Sequence, residues 1–131
     1  MFNFEFATSK TGIQKYVSIS RYGVSINRPV LDEMKGVDKV VLGYDSENSI
    51  LGILRYDVDQ NYPDDVKTFQ LLDHLKKDGS QRDWVRISCK PFIRFLADKS
   101  KINFISKTHK YEAQIIDGGV IAVLKEETSR E

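Results

Sequence analysis

At 131 residues, with 40% hydrophobic and 30% charged side chains, the chain has the length of one domain and the composition of a globular protein, which excludes wholesale disorder. Twenty Lys and Arg against nineteen Asp and Glu leave a formal charge of +1, so only a locally basic face could attract a polyanion. Cys89 is the only cysteine, which excludes an internal disulfide and any cysteine-rich zinc site and fits a reducing compartment.

The opening stretch "MFNFEFATSK" has neither the basic flank nor the long apolar run of a signal peptide, and no segment is apolar for long enough to span a bilayer. A soluble, cytoplasmic protein that does not contact membrane is expected. Phe2, Phe4 and Phe6 alternate with Asn3 and Glu5, the period-two pattern of a strand with one buried face. "KYVSIS" continues that pattern through Val17 and Ile19, and Val24 and Ile26 repeat it after Arg21-Tyr22-Gly23. Gly23 is expected to supply the positive φ of a hairpin turn.

"NRPVLDEMKG" predicts a short helix, with Asn27 as cap, Pro29 in the first turn, a buried stripe of Val30, Leu31 and Met34, and Gly36 at the end. Val40 to Tyr44 and Ile50 to Tyr56 flank "DSENS", a turn composition, and predict a second hairpin. The polar "DVDQNYPDD" is a connector. From Asp64 or Asp65 the spacing of Val66, Phe69, Leu72 and Leu75 predicts an amphipathic helix over 64–78.

The second half repeats the first. Val85 and Ile87 take the places of Val24 and Ile26, and Pro91 takes the place of Pro29. Pro29, Met34 and Val40 have the same spacing as Pro91, Leu96 and Ile102, and the closing strands are "NSILGIL" and "GGVIAVL". The extra residues of the second copy, around "SKTHKYEAQ", are expected to lengthen its hairpin. The expected fold class is α+β: two related β-α-β-β units packed as a pseudo-dimeric, mostly β barrel-like domain, with short helices and one connecting helix. Its parts are a first β-rich half (1–57), a connector with the amphipathic helix (58–82) and a second β-rich half (83–131), all in one domain.

The run "GVSINRPVLDEMKGVDKVVLGYDSENSILGIL", residues 23 to 54, resembles the swapped-hairpin module of the AbrB, MazE and SpoVT family of bacterial DNA-binding proteins. Their order is a glycine turn, two alternating apolar residues, a proline, a short helix and a β-hairpin. The chain also resembles small uncharacterised proteins of Gram-positive bacteria, their phages and mobile elements. The AbrB-like resemblance implies two interlocked copies in one small barrel and a transcription regulator of double-stranded DNA. Three departures stand out: Val24 occupies a position that is usually basic, Pro29 lies two residues further on than the family's proline, which directly follows the second apolar residue, and the second copy lacks the turn glycine.

DNA binding needs cations gathered on one surface to neutralise phosphates and release counterions. The candidates are Lys15, Arg21 and Arg28 in the first copy and Arg82, Arg86, Lys90 and Arg94 in the second. Tyr22, Trp84 and Tyr111 could stack on bases if exposed. The rival expectation is a protein-interaction module or inhibitor without nucleic-acid binding, using sheet edges or the 64–78 helix to hold a protein partner.

No catalytic or metal site is expected, and no cofactor. His74 and His109 have no second histidine at a ligand spacing. Asp57 with Asp59 and Asp64 with Asp65 lie in a connector, where they solubilise or cap. Cys89 is expected to be a buried structural thiol. "DGG" at 117–119 is a hairpin turn and not a phosphate loop, because no G-K-[ST] follows.

Overall fold

The computed structural model describes residues 2–7, 14–34, 36–71 and 77–127. The alternating runs become strands β1 (Tyr16–Ser20), β2 (Gly23–Asn27), β3 (Lys39–Asp45), β4 (Ile50–Arg55), β5 (Phe69–Gln70), β6 (Trp84–Ser88), β7 (His109–Ile116) and β8 (Gly119–Glu127). Two helices interrupt them among the described residues, α1 (Arg28–Glu33) and α2 (Lys90–Ser100). Every pairing is antiparallel, in one sheet of order β5-β3-β4-β8-β7-β1-β2-β6 that curls into a nearly closed, barrel-like form. Because β1 lies between β2 and β7, the first and second halves of the chain share one sheet and one core.

The inner face is built from the alternate apolar residues of each strand: Val17 and Ile19, Val24 and Ile26, Leu51 and Ile53, Val85 and Ile87, Val120, Ala122 and Leu124 are all buried. Helix α1 closes over it with Val30, Leu31 and Met34, the stripe expected from the spacing, and α2 with Ile93 and Leu96. A proline sits in the first turn of both helices, where a missing N–H costs nothing. No helix among the described residues is long and apolar enough to cross a membrane.

Several local expectations are corrected. Gly23 has no positive φ; it pairs with Ser20 and Ser88 inside the sheet. What requires glycine there is close approach, since a Cβ would lie 2.0 Å from the Ile87 carbonyl oxygen. Positive φ belongs instead to Gly118 in the turn that joins β7 and β8, the hairpin expected at "DGG". Asn27 precedes α1 but makes no side-chain cap; its amide oxygen accepts from the Tyr16 N–H and its amide nitrogen donates to the Gln14 carbonyl. In place of a helix from residue 64, the chain makes a turn at Asp64 and Asp65 and the short strand β5. Leu72, His74 and Leu75, also assigned to that helix, lie outside the described residues.

The element order strand, helix, strand, strand does occur twice, as β2-α1-β3-β4 and β6-α2-β7-β8. The match of Val40 with Ile102 fails, because α2 runs to Ser100 and β7 begins only at His109. The extra residues go into the longer helix, the 101–108 connector and longer strands, while the turn itself shrinks to Asp117-Gly118.

Candidate functional site

With Val17, Ile19, Val24, Ile26, Val85 and Ile87 pointing inward, the residues between them face outward. Register then fixes which ones meet. Lys110 of β7 lies opposite Ser18 of β1, Ser18 opposite Ser25 of β2, and Ser25 opposite Arg86 of β6. The result is a transverse row of two cations separated by two small hydroxyls, across four adjacent strands. The flanking row places Tyr16 opposite Glu112 and Asn27 opposite Trp84.

Tyr22, in the turn between β1 and β2, sits at one margin of this face with its ring surrounded by cations. The Arg21 guanidinium carbon is 4.8 Å from the ring centroid, that of Arg86 5.5 Å, and the Lys90 Nζ 5.6 Å. Arg21 Nη2 also donates to the Tyr22 hydroxyl. On the other side, Lys110 Nζ lies 4.4 Å from the Tyr16 ring. These contacts hold cations over the electron-rich ring faces without neutralising them, so their charge stays available to an incoming anion. No carboxylate among the described residues comes within ion-pair distance of Arg21, Arg86 or Lys90. Tyr22 and Trp84 are 39% and 40% exposed, and with Ser18, Ser20, Ser25 and Arg86 they line a shallow groove of about 620 Å³, closed on its far side by the Phe104–Thr108 segment with Lys107.

Three of the seven candidate cations, Arg21, Arg86 and Lys90, therefore converge. Arg94 is exposed on α2 one turn beyond Lys90, on the same side of the helix. Arg82 precedes β6 and lines a separate groove with Trp84 and Gln70. Lys15 is half-buried at the opposite end of β1 from Tyr22, where its carbonyl accepts from the Ala113 N–H. Arg28 is engaged elsewhere: its Nε and Nη2 donate to the Arg82 carbonyl at 3.0 and 2.7 Å, and Nη1 lies 3.8 Å from Asp32. That clamp ties the start of α1 to the approach to β6.

The sequence reading missed Lys107, Lys110 and Tyr16. The signal for Lys110 was present in "THKYEAQ", where His109, Tyr111 and Ala113 alternate with Lys110 and Glu112; the inward trio is buried and the outward pair is not. Tyr111, expected as a stacking candidate, is 1% exposed and belongs to the core.

The remaining polar candidates have structural roles. His109, expected in a basic loop, is a buried residue at the start of β7; its Nε2 lies 3.1 Å from the Asn103 carbonyl, and its ring meets Phe104 edge-on. Cys89 donates its thiol hydrogen to the Ile87 carbonyl at 3.3 Å, and burial pushes its pKa up to about 11. Asp57 accepts from the Asp59 N–H, a local turn bond. No group of three or more His, Cys, Asp or Glu among the described residues is placed to hold a metal. His74 lies outside the described residues.

Comparison of the chain with protein-family models, curated proteins and solved structures finds no match.

Proposed function

We propose that this protein is a non-enzymatic DNA-binding regulator whose contact surface is the outer face of β7, β1, β2 and β6. The observation that carries the reading is the convergence of Arg21, Arg86 and Lys90 on the half-exposed Tyr22 ring, continued by Lys110 and Lys107. A nearly neutral chain that gathers five cations and two exposed aromatics around one groove has the local charge needed to bind phosphates. Ser18, Ser20 and Ser25 keep the floor low and add hydroxyls that can bond phosphate oxygens.

The AbrB-like, pseudo-dimeric arrangement belongs to the same proposal. Exchanging β1 with β5, β2 with β6, β3 with β7 and β4 with β8 returns the same cyclic strand order when the ends are joined at β5 and β6. Val24 and Ile26 correspond to Val85 and Ile87, so Ser25 corresponds to Arg86, its own cross-strand partner. The approximate twofold axis then passes through the Ser25–Arg86 pair, at the β6 end of the basic row. A palindromic duplex would meet that face along its own twofold axis.

The test is binding to a fluorescent duplex of about 20 base pairs at low salt. Arg21→Glu with Arg86→Glu is expected to weaken binding at least tenfold while leaving the circular dichroism spectrum unchanged. Undiminished binding by a folded double variant would overturn the assignment of this face.

A further inference from the structure

Among the described residues, strand β6 ends the sheet, with β2 on one side and no strand on the other. The ladder determines which backbone groups face that open side. The Cys89 N–H donates to the Tyr22 carbonyl at 3.1 Å and the Arg28 N–H to the Asp83 carbonyl at 2.8 Å, so Asp83, Val85, Ile87 and Cys89 are the residues that bond towards β2. The backbone groups of Trp84, Arg86 and Ser88 consequently point into the seam between β6 and β5. A groove of about 710 Å³ runs along this seam, from Thr68–Gln70 on one wall to residues 82–88 on the other. It shares Phe69 and Ser88 with an apolar groove of about 880 Å³ that reaches Cys89, Pro91, Phe92 and Phe95.

Elsewhere in the chain, Phe2, Phe4 and Phe6 are 86%, 71% and 82% exposed, the largest apolar side chains left in water to that degree among the described residues. They alternate with Asn3 and Glu5, so an extended backbone puts all three on one face.

We propose that residues 2–6 bind in the seam of their own chain as an added strand, antiparallel to β6. Reach and direction both favour this. The Gln14 carbonyl accepts from the Asn27 side chain at 2.9 Å, and Asn27 lies opposite Trp84, which places Gln14 at the Trp84 end of β6 with β2 between them. Residues 8–13 can span up to about 20 Å when extended, against three interstrand spacings of about 14 Å in all. The segment thus enters at the Trp84 end and runs back along β6. Covalent tethering gives the same chain's segment an effective concentration in the millimolar range, well above that of a second copy.

Facing and charge fix the register. The phenylalanines must lie on the side of Val85, Ile87 and Cys89, which are buried, and not on the side of Arg86. One antiparallel register then sets Phe6 opposite Val85, Glu5 opposite Arg86, Phe4 opposite Ile87 and Phe2 opposite Cys89, at the mouth of the apolar groove. Slipping by two residues would lose the Glu5–Arg86 pair, an exposed contact of the DNA-free protein that phosphate displaces when Arg86 binds the duplex.

Cysteine pairs in the full chain carrying Cys89→Ala provide the test, because the two residues of a hydrogen-bonded antiparallel pair lie about 5.5 Å apart, within disulfide range. Glu5→Cys with Arg86→Cys is expected to form an intramolecular disulfide in dilute protein under a glutathione buffer. Asn3→Cys with Arg86→Cys, two residues out of register, should form at least tenfold less. Retention of both free thiols in the first pair, or a disulfide linking two chains, would overturn the proposal. In the otherwise unaltered chain, Phe4→Asp should raise amide exchange at Arg86 and Ser88 at least tenfold; unchanged exchange would overturn it independently. Neither readout involves DNA.

Discussion

Arg28 and Arg86 carry the same charge and have opposite consequences. Arg28 spends its guanidinium on the Arg82 carbonyl, with two charge-assisted N–H donors to one oxygen across 54 residues of sequence, whereas Arg86 is an exposed residue whose guanidinium lies over an aromatic ring. Arg28→Ala is therefore expected to lower unfolding stability by about 1–3 kcal/mol, measured by urea denaturation, with Arg86→Ala within about 0.5 kcal/mol of the parent. Cys89 makes a second prediction at this scale. Its pKa in the fold, about 11, lies above its ordinary value of 9.0, so the unfolded chain releases the thiol proton first as pH rises. Stability from the buried neutral thiol is fully present below pH 9 and declines as pH climbs towards 11. The urea midpoint should consequently fall more steeply between pH 8 and 10.5 in the parent than in Cys89→Ala. These two residues also mark how far single positions are legible. Cys89 reads as a buried thiol because it ends an alternating strand, but nothing near Arg28 in sequence announces a carbonyl acceptor at residue 82.

At the scale of elements, the parts governed by local chemistry could be read directly. Pro29 and Pro91 start the helices because proline fits the first helical turn, and "DSENS" turns because Asp45 accepts from the Glu47 and Asn48 N–H groups and from the Asn48 side chain. The 64–78 helix misled because Val66 and Phe69, three residues apart, satisfy a helical period and can equally occur in an extended segment; packing of Phe69 on the core and its pairing with Val40 decide for strand there. Gly23 misled for a related reason: glycine permits both positive φ and close approach, and the sequence does not distinguish them. The distinction is measurable. Gly23→Ala forces a methyl group into the Ile87 carbonyl and should cost about 3 kcal/mol. Gly43→Ala, in β3, adds a Cβ that meets nothing within 4 Å and should leave stability within about 1 kcal/mol of the parent. Equal effects of the two substitutions in urea denaturation would contradict the close-approach account.

For the molecule as a whole, the barrel depends on pairings that no local pattern contains. β1 pairs with β7, and β4 with β8, across most of the length of the chain. The repeated strand-helix-strand-strand order made two similar halves legible; it did not indicate that β1 would insert between them. The candidate face follows from those same pairings. Arg21, Arg86 and Lys90 are scattered in sequence and meet only because β2 lies against β6, while Lys110 joins the face through β7. The central claim is that this convergence makes a phosphate-binding surface on an almost neutral protein. Its most direct test is the salt dependence of binding to a mixed-sequence duplex. Five cations on the face predict that log K falls against log salt with a slope of about −4.5, and that Arg21→Glu with Arg86→Glu reduces the magnitude of the slope by about 2. No detectable binding to the duplex at about 50 mM salt, where phosphate contacts are strongly favoured, would contradict it.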